Sequence, residues 1–256
     1  MALEFRSVSK SFSGNDGSSL LAVDDISFRV NEGEFVAVVG PSGCGKSTIL
    51  SMTAGLYQPS EGAVFVSGEA VNGPNPHMGF MLQKDLLLPW RSIIANIEFG
   101  LEARKVAKSE RRSRAMAELK HCHLDGFENH YPYQLSGGMR QRAALARTLA
   151  IDPDIILLDE PFSALDAQTK LLLQNSFAGT IAETGKTTLL ITHDLAEAVL
   201  MSDRILVLSE RPGSIVAEIK IDLPHRNQPI KRRLMPEVSG YAAELFKHLK
   251  LEEKAA

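Results

Sequence analysis

The sequence predicts an α/β protein with a parallel sheet as its core, an antiparallel β part at its N-terminus and a helical lobe. Short apolar runs typical of buried strands alternate with helical patterns, which predicts a parallel sheet. Two strand-like runs lie before residue 31, on either side of the turn-rich segment SGNDGSS. From about residue 85 to about residue 150 the pattern becomes helical. The chain therefore combines a β-rich start, a sheet-forming core and a helical insertion.

Each element is predicted by its own residue pattern. Strands are predicted for LEFRSVSK, LLAVDDISFRV, EFVAVVG, AVFVSG, HMGFML, DIILLDE, TTLLITH and DRILVLS. Helices are predicted for KSTILSMTAGL, SIIANIEFGLEARK, SERRSRAMAELKHC, GMRQRAALARTLA, residues 167–183, a short segment before DRILVLS, and one amphipathic stretch of the tail. We expect a discontinuous nucleotide-binding α/β core over residues 1–83 and 151–222, a helical lobe over residues 84–150, and a linker with a helix over residues 223–256.

Composition restricts the class of protein. The chain has 256 residues, and its hydrophobic fraction of 44% and charged fraction of 23% are ordinary for a globular protein with a sizeable core. A net charge of -3 gives no general attraction to nucleic acid, so we expect no nucleic-acid partner. No apolar run approaches the roughly 18 residues that cross a bilayer, and the N-terminus lacks the apolar region of a secretory signal. With only two cysteines, a cytoplasmic protein is expected.

The segment GPSGCGKST, residues 40–48, fits the phosphate-binding pattern G-x-x-x-x-G-K-[ST], between a buried strand and a helix. Gly43 and Gly45 allow positive φ, so successive N–H groups can converge on an anion where the helix begins. Lys46 would bind the β- and γ-phosphates, and the Ser47 hydroxyl would bind Mg²⁺. The residues expected to bind the nucleotide here are Gly40, Pro41, Ser42, Gly43, Cys44, Gly45, Lys46, Ser47 and Thr48.

A pair of acids, Asp159 and Glu160, ends the apolar run IILLDEP. Parallel strands deliver their C-terminal residues to the ligand crevice, so we expect the pair beside the phosphate loop. Asp159 would hold Mg²⁺, and Glu160 would polarise a water for in-line attack on the γ-phosphate. The alternative is an acidic pair that only caps the following helix. Together with the loop, the pair predicts a phosphate-loop NTPase, with a RecA-like sheet, that binds ATP and Mg²⁺.

A second candidate anion site lies in LSGGMRQR, residues 135–142. Ser136 is a good helix N-cap, and Gly137 and Gly138 leave the N–H groups of the first turn sterically open. The alternative is a capped surface helix without a ligand. Because a complete phosphate loop needs no second cradle from its own chain, we expect this segment of one copy to close over the nucleotide of another. A two-fold, head-to-tail dimer would do this twice.

Six sequence features occur together along the chain. In order they are GPSGCGKST, Gln83, LSGGMRQR, IILLDEP, SALD at residues 163–166, and His193 within ITHD. The set resembles the ATP-binding cassette ATPases of membrane transporters, and the resemblance covers about residues 3–220. LSGG in particular separates that family from other phosphate-loop enzymes. The resemblance implies ATP hydrolysis coupled to transport.

The resemblance also implies roles for individual residues. Lys46, Glu160 and His193 would be catalytic, with His193 as the sensor of the γ-phosphate. Gln83 would touch Mg²⁺ and sense the transport subunit. Asp166 would make a contact near the phosphates across the dimer.

An aromatic platform for adenine is a further implied feature. Phe12, in the first strand region, looks like the residue that stacks on the base, because stacking needs only an exposed ring face. Phe5 and Phe28 lie nearby in the sequence, and an aromatic residue in a strand more often belongs to the core. Phe12 is therefore the expected base contact, with a core position as the alternative.

The segment MLQKDLLLPWRSIIANIEFGL surrounds Gln83 and contains the only Trp of the chain. We expect Leu87 and Ile94 to belong to the core of the helical lobe. The apolar cluster as a whole suits a groove for a short helix of a transmembrane permease, docking near residues 83–97. The alternative is that the whole cluster belongs to the core of the helical lobe.

Three segments, LLPW, PFSALDAQT and SERPG at residues 209–213, are similar to importers of nitrate, sulfonates and taurine. The implied protein is a peripheral ATPase on the cytoplasmic face of the membrane, serving a permease and, indirectly, a solute-binding protein. One alternative is the ATPase of another transporter class, for another solute or for lipid export. A nucleic-acid or translation ATPase would need a long coiled-coil insertion or a second cassette. Glu160 and His193 argue against a non-hydrolysing regulator.

Two basic runs remain, RKVAKSERRSR and KRRL at residues 231–234. We interpret both as solvated helix faces, because runs of like charge are usually exposed. Contact with lipid head groups is the alternative.

Overall fold

A computed structural model of the chain describes residues 1–14 and 18–250 as two β-sheets with helices packed around them. Residues 15–17 of the predicted turn-rich segment, and residues 251–256 of the predicted tail, lie outside the described residues. The predicted α/β class, with an antiparallel N-terminal part, a parallel core and a helical lobe, is confirmed.

The N-terminal sheet is antiparallel, with four strands in the order β2-β1-β4-β5. They are β1 (Leu3–Ser13), β2 (Ser19–Val30), β4 (Glu61–Val66) and β5 (Glu69–Ala70). Strand β1 lies in the middle, because Leu3 pairs with Val30 on one side and with Val66 on the other. The opposite end of β1 carries Phe12 to the edge of the phosphate loop.

The main sheet has six strands in the order β10-β9-β3-β8-β7-β6. They are β3 (Phe35–Val39), β6 (Met78–Met81), β7 (Ile155–Asp159), β8 (Thr187–Ile191), β9 (Arg204–Leu208) and β10 (Ile215–Lys220). All neighbours are parallel except β10, which runs antiparallel to β9 at the edge. Strand β10 was not predicted, because this half-exposed edge strand lacks the continuous apolar pattern of the buried strands.

Eight α-helices are described. They are α1 (Lys46–Thr53), α2 (Ile93–Ala103), α3 (Lys108–His121), α4 (Gly137–Ala150), α5 (Ala167–Thr184), α6 (Leu195–Met201), α7 (Pro229–Arg233) and α8 (Val238–His248). The side chains of four N-cap residues accept a hydrogen bond from a first-turn N–H: Ser92, Ser136, Asp166 and Asp194. None of the helices in the described part of the chain has the length and apolar character needed to cross a bilayer.

The two faces of the main sheet are buried by different layers. In β7, Ile155 and Leu157 pack towards the N-terminal sheet and α1, whereas Ile156 and Leu158 pack towards the helical lobe and α5. This alternation follows from the period of two in a strand. Burial on both faces explains the uninterrupted apolar runs, and the parallel arrangement brings the C-terminal strand ends to one edge of the sheet.

The C-terminal region departs from the sequence-based prediction in two ways. It contains two helices, α7 and α8, where one was expected. The interpretation of KRRL as a solvated face is wrong for Arg232, whose exposed fraction is only 1%. Its guanidinium donates hydrogen bonds to the carbonyl oxygens of Val199, Leu200, Ser202, Leu223 and Pro224. Arg232 therefore ties α7 to the C-terminal end of α6, where a cation is favoured by the helix dipole.

Replacing Arg232 by Met is expected to lower the free energy of unfolding by about 3 kcal/mol, because buried carbonyl oxygens lose their donors. The adjacent Arg233 is exposed, so Arg233→Met is the matched control and should change stability by less than about 0.5 kcal/mol. Denaturant unfolding of both variants measures the difference in unfolding free energy, if the dependence of that free energy on denaturant concentration has the same slope for both. Equal midpoints for the two variants would contradict this role of Arg232.

Candidate functional site

The phosphate loop borders a cavity of about 420 Å³ at the C-terminal end of β3. Its lining comes from both sheets and from α1: Phe12, Leu20, Ala22, Ser42, Gly43, Gly45, Lys46, Ser47, Thr48, Glu160 and Arg211. Three predicted loop contacts are not in this lining. Gly40 and Pro41 hold the Lys46 side chain instead, and the Cys44 side chain is buried beneath the loop.

The conformation of the phosphate loop depends on two glycines. Gly43 and Gly45 have φ of 77° and 102°, in the region that side-chain-bearing residues rarely adopt. A Cβ at Gly45 would collide with the Val23 side chain and lie 2.8 Å from the carbonyl oxygen of Ala22. The loop is thereby held against β2, with its N–H groups leading into the first turn of α1.

Lys46 begins α1, and its side chain is buried under the loop. The ammonium donates hydrogen bonds of 2.8 Å to the carbonyl oxygens of Gly40 and Pro41. These two contacts fix the charge at the wall of the cavity. A cation in this position, beside the loop N–H groups, attracts phosphate.

Ser47 and Asp159 lie next to each other at this edge of the sheet. The Ser47 hydroxyl donates to Oδ1 of Asp159 at 3.3 Å. Burial raises the pKa of the Asp159 carboxyl above its usual range. A hydroxyl and a partly buried carboxylate are hard oxygen donors of the type that Mg²⁺ prefers, so the two residues fit a magnesium ion.

Glu160 follows directly and has an unusual backbone. Its φ is 46°, which is uncommon for a residue other than glycine and indicates local strain. Three hydrogen bonds hold the strained position: the N–H of Glu160 donates to the carbonyl oxygen of Ile191, and its own carbonyl oxygen accepts from the N–H and the hydroxyl of Ser163. Glu160 lines the cavity, whereas Asp159 beside it contacts Ser47.

His193 lies beside Glu160, as the order of the strands requires. The residue follows β8, which is the neighbour of β7 in the sheet, and its Nδ1 lies 3.0 Å from Oε2 of Glu160. The next residue, Asp194, caps α6 and fixes the end of the loop. The three predicted catalytic residues Lys46, Glu160 and His193 therefore follow the neighbouring strands β3, β7 and β8, although only Lys46 and Glu160 line the cavity.

Phe12 lines the phosphate-loop cavity, whereas Phe5 and Phe28 do not. Its ring makes an edge-to-face contact with Tyr57, with the centroids 5.4 Å apart. Phe5 and Phe28 are buried and stack on each other in the core of the N-terminal sheet. Of the three candidates, Phe12 alone has a position from which it could contact a base in this cavity.

The remaining predicted ligand residues lie away from this cavity. The amide of Gln83 donates to the Ser163 hydroxyl at 3.1 Å. The Ser136 hydroxyl caps α4 at Met139, and Asp166 caps α5 at Thr169. Gly137 and Gly138 form the first turn of α4, and neither they nor the two capping residues line the cavity. Within one chain, the two candidate anion-binding elements, the phosphate loop and the start of α4, therefore do not share a cavity.

A second cavity of about 550 Å³ lies beside Gln83. Its lining comes from the segment after β6, from α4 and from the segment before α5: Gln83, Lys84, Asp85, Leu86, Leu87, Gly137, Arg140, Gln141, Ala164 and Leu165. As predicted, Leu87 and Ile94 are buried in the lobe. Leu86 in this lining is 53% exposed, and Trp90, four residues later in the chain, is 73% exposed, so this segment keeps apolar surface. We name the cavity, together with residues 86–90, the lobe groove.

Hydrogen bonds between side chains and the backbone stabilise the segment that lines the lobe groove. Asn96 is buried and bonds both the N–H and the carbonyl oxygen of Leu88. Arg147 donates to the carbonyl oxygens of Asp85 and Leu86. Leu86 itself has a φ of 45°, which indicates strain at an exposed apolar residue. Neither Asn96 nor Arg147 was predicted, since only the folded structure shows which loop they support.

A partly buried ionic cluster also connects two of the predicted elements. The Lys170 ammonium lies 2.9 Å from Oδ2 of Asp194 and 3.0 Å from Oε2 of Glu197. Although burial opposes it, the hydrogen bond from Lys170 keeps the pKa of Asp194 below its usual range. The cluster links α5, which begins after Asp166, to the residue after His193. No sequence pattern predicts this cluster, because the three residues meet only through tertiary contacts.

Arg211 is the charged residue of the first cavity that the sequence analysis did not identify. It lies in SERPG, which was noted for its similarity to importers but given no role. Its position in the sequence could have indicated a place at the site. The segment SERPG follows the C-terminal end of β9, and the ends of parallel strands meet at the ligand crevice.

Comparison with known proteins identifies the family. The profile of the ABC transporter family matches residues 23–163. The chain is 48% identical over 221 residues to an uncharacterized ABC transporter ATP-binding protein of Methanocaldococcus jannaschii, MJ0412, covering 86% of this chain and 82% of that protein. It is 44% identical over 205 residues to the taurine import ATP-binding protein TauB of Yersinia pestis, covering 80% of each.

Solved structures give the same result. A dimeric structure of MJ0796, described as a bacterial ABC transporter cassette, matches with a TM-score of 0.74. A dimeric post-hydrolysis state of the same cassette, bound to ADP and Pi, matches with a TM-score of 0.73. Each is 34% identical and covers 86% of this chain and 98% of the solved one. The chain therefore belongs to the ABC transporter family, and it is an ATP-binding cassette that hydrolyses ATP.

Proposed function

We propose that this chain is the ATP-hydrolysing subunit of a bacterial-type importer, and that a head-to-tail dimer couples Mg-ATP hydrolysis to solute uptake. The main observation that supports this proposal is that the phosphate loop and the start of α4 of one chain do not share a cavity. The phosphate-loop cavity contains none of Ser136, Gly137 and Gly138, although these residues form a capped helix start suited to an anion. A two-fold pair of chains would complete two cavities at once. The dimeric state of the MJ0796 cassettes supports this arrangement.

In each composite site, this chain binds the phosphates through Lys46 and the N–H groups of its loop. Ser47 and Asp159 are the residues that would hold Mg²⁺. Gln83 would join them only after exchanging its hydrogen bond to Ser163. When bound, Mg²⁺ supplies neutralisation of charge on the β- and γ-phosphates.

Glu160 acts as the base that polarises the attacking water, since it is the acid in the cavity lining. His193 orients that carboxylate through their 3.0 Å contact, and it would sense the γ-phosphate. Phe12 stacks on the adenine, and Asp166 makes its contact near the phosphates across the dimer. The helix start at Ser136 of the second copy stabilises charge that develops on the phosphates.

The lobe groove would receive a short helix of a transmembrane permease, near residues 83–97. Exposed apolar side chains at a polar rim are typical of such a docking site, and Leu86 and Trp90 provide them. Gln83 lines the same groove and hydrogen-bonds Ser163, three residues after Glu160. A displacement of the groove would therefore be passed directly to the catalytic segment.

The similarity to TauB favours taurine or a related small solute, such as a sulfonate or nitrate. The chain would act as a peripheral protein on the cytoplasmic face of the membrane. A solute-binding protein would be an indirect partner, reached only through the permease.

Replacing Leu86 by Glu is expected to abolish the association with the permease, because a charge is placed in the apolar rim of the lobe groove. Tagged full-length chain is purified from its host in detergent, and co-purifying permease is quantified by mass spectrometry. ATP hydrolysis by the isolated variant should stay within about two-fold of wild type, since Leu86 does not line the phosphate-loop cavity.

Leu234→Glu is the matched control, because Leu234 is 81% exposed and lies outside the groove. Uptake of labelled taurine and nitrate into vesicles containing the captured permease then tests the solute class. Equal permease recovery with both variants would exclude the lobe groove as the docking site.

A further inference from the structure

The loop between β9 and β10 is fixed against the phosphate loop. The hydroxyl of Ser209 accepts a hydrogen bond from the N–H of Ser214, which closes the loop at its base. Gly213 donates its N–H to the carbonyl oxygen of Ala22 and accepts from the N–H of Asp24. Two backbone bonds therefore join this loop to β2.

The same loop also touches the phosphate loop itself. A Cβ at Gly213 would collide with the carbonyl oxygen of Cys44, so a glycine is needed for this close approach. The backbone of the loop is thus wedged between β2 and the phosphate loop. The position of this loop relative to the nucleotide cavity is therefore fixed.

Arg211 is two residues before this wedge and lines the cavity. Its side chain is exposed, and it makes no hydrogen bond or ion pair with any residue in ranges 1–14 and 18–250. Most other arginines of the chain, such as Arg204 and Arg232, are held by acids or carbonyl oxygens. Arg211 therefore presents an uncommitted guanidinium to a cavity whose other cation is Lys46.

We propose that Arg211 is a ligand of the nucleotide phosphates. A guanidinium offers five N–H donors in a planar fork that matches phosphate oxygens, and it stays charged at all physiological pH values. Within the cavity lining, Lys46 and Arg211 are the only cations and Glu160 is the only acid, so a polyphosphate is complementary in charge. Arg211 binds phosphates that both ATP and ADP carry. Phosphate binding is thus the role of the importer-like segment SERPG.

This proposal rests on the assignment of the cavity to the nucleotide, and the test separates the two. Binding of ATP and ADP to full-length Arg211→Gln is measured by isothermal titration, together with wild type and Lys46→Ala. We expect Arg211→Gln to weaken both nucleotides about five- to ten-fold, as for one partly exposed charge-assisted contact. Lys220→Gln, on the following strand, is the control for loss of one positive charge outside the cavity.

Two further readouts distinguish a phosphate contact from a structural effect. The ratio of wild-type to variant affinity should shrink as salt is raised from low to high concentration, because screening removes an ionic contact. In steady-state hydrolysis, KM for ATP should rise with little change in kcat, and Arg211→Lys should recover part of the affinity.

The role of Arg211 would be overturned if the ratio of wild-type to Arg211→Gln affinity did not depend on salt, or if Arg211→Gln bound nucleotide as tightly as Lys220→Gln. In either case Lys46→Ala should still fail to bind. If Lys46→Ala binds nucleotide normally, the assignment of the cavity itself is wrong. Thermal unfolding of each variant is compared with wild type, and Arg211→Gln should match it, since the side chain has no hydrogen-bond or ion-pair partner to lose among the described residues.

Discussion

A Glu160→Gln variant is expected to hydrolyse ATP at least about 100-fold more slowly than wild type, because an amide cannot polarise the attacking water. Glutamine has nearly the same size, so the strained backbone at φ of 46° and the contact with His193 are retained as far as geometry allows. The phosphate loop and the pair of Ser47 and Asp159 are untouched. Nucleotide binding should therefore remain, and ATP with Mg²⁺ should accumulate in a stable dimer.

Phosphate release and size-exclusion chromatography measure the two halves of this prediction. Glu61→Gln is a suitable control, since Glu61 is an exposed carboxylate on β4 and does not line the cavity. It should hydrolyse ATP at the wild-type rate and show no increase in dimer. Turnover by Glu160→Gln close to that of the control would remove Glu160 as the base.

Local sequence was sufficient to predict the phosphate loop and the acids beside it. The glycines at residues 43 and 45 have the positive φ that their spacing in the pattern implied. Asp159 and Glu160 end a buried parallel strand, and parallel strands necessarily end at the same edge of the sheet. Proximity of Asp159 to Ser47 followed from these two local facts, without any long-range information.

Features that depend on tertiary contacts were not predictable in this way. Lys231, Arg232 and Arg233 are chemically alike in the sequence, yet only Arg232 points at the carbonyl end of α6. Which of the three is buried depends on how α7 packs, and a pattern of charges contains no such information. Arg211 is an intermediate case, because its place after β9 is visible in the sequence, whereas its closeness to the phosphate loop depends on the tight approach of Gly213 to Cys44.

Gly138 shows that one residue can meet two constraints. Its position in LSGG was attributed to open N–H groups at the helix start. A Cβ at Gly138 would also lie 3.1 Å from the methyl group of Thr169 in α5, a tight contact inside the chain. Packing between α4 and α5 therefore also favours glycine there, and the anion-binding role needs a test at Ser136 instead.

Replacing Ser136 by Asp is expected to reduce hydrolysis at least about 100-fold, since a negative charge at this helix start opposes stabilisation of the γ-phosphate. Aspartate is as good an N-cap as serine, so α4 keeps its cap to Met139. Ser136→Asn is the matched control, because asparagine also caps the helix but carries no charge. Nucleotide binding by the isolated Ser136→Asp chain should be normal, because Ser136 does not line its own phosphate-loop cavity.

Mixing Ser136→Asp with Lys46→Ala then decides between the two arrangements of the site. In a head-to-tail pair, Lys46 of the first variant faces Ser136 of the second, so one intact composite site forms in each mixed dimer. Hydrolysis by the mixture should therefore exceed the mean of the two separate variants several-fold. If Ser136 served the nucleotide of its own chain, every site in the mixture would keep one defect and nothing would be recovered. Activity equal to the mean would thus reject the shared site, because neither variant alone contains an undamaged set of phosphate contacts.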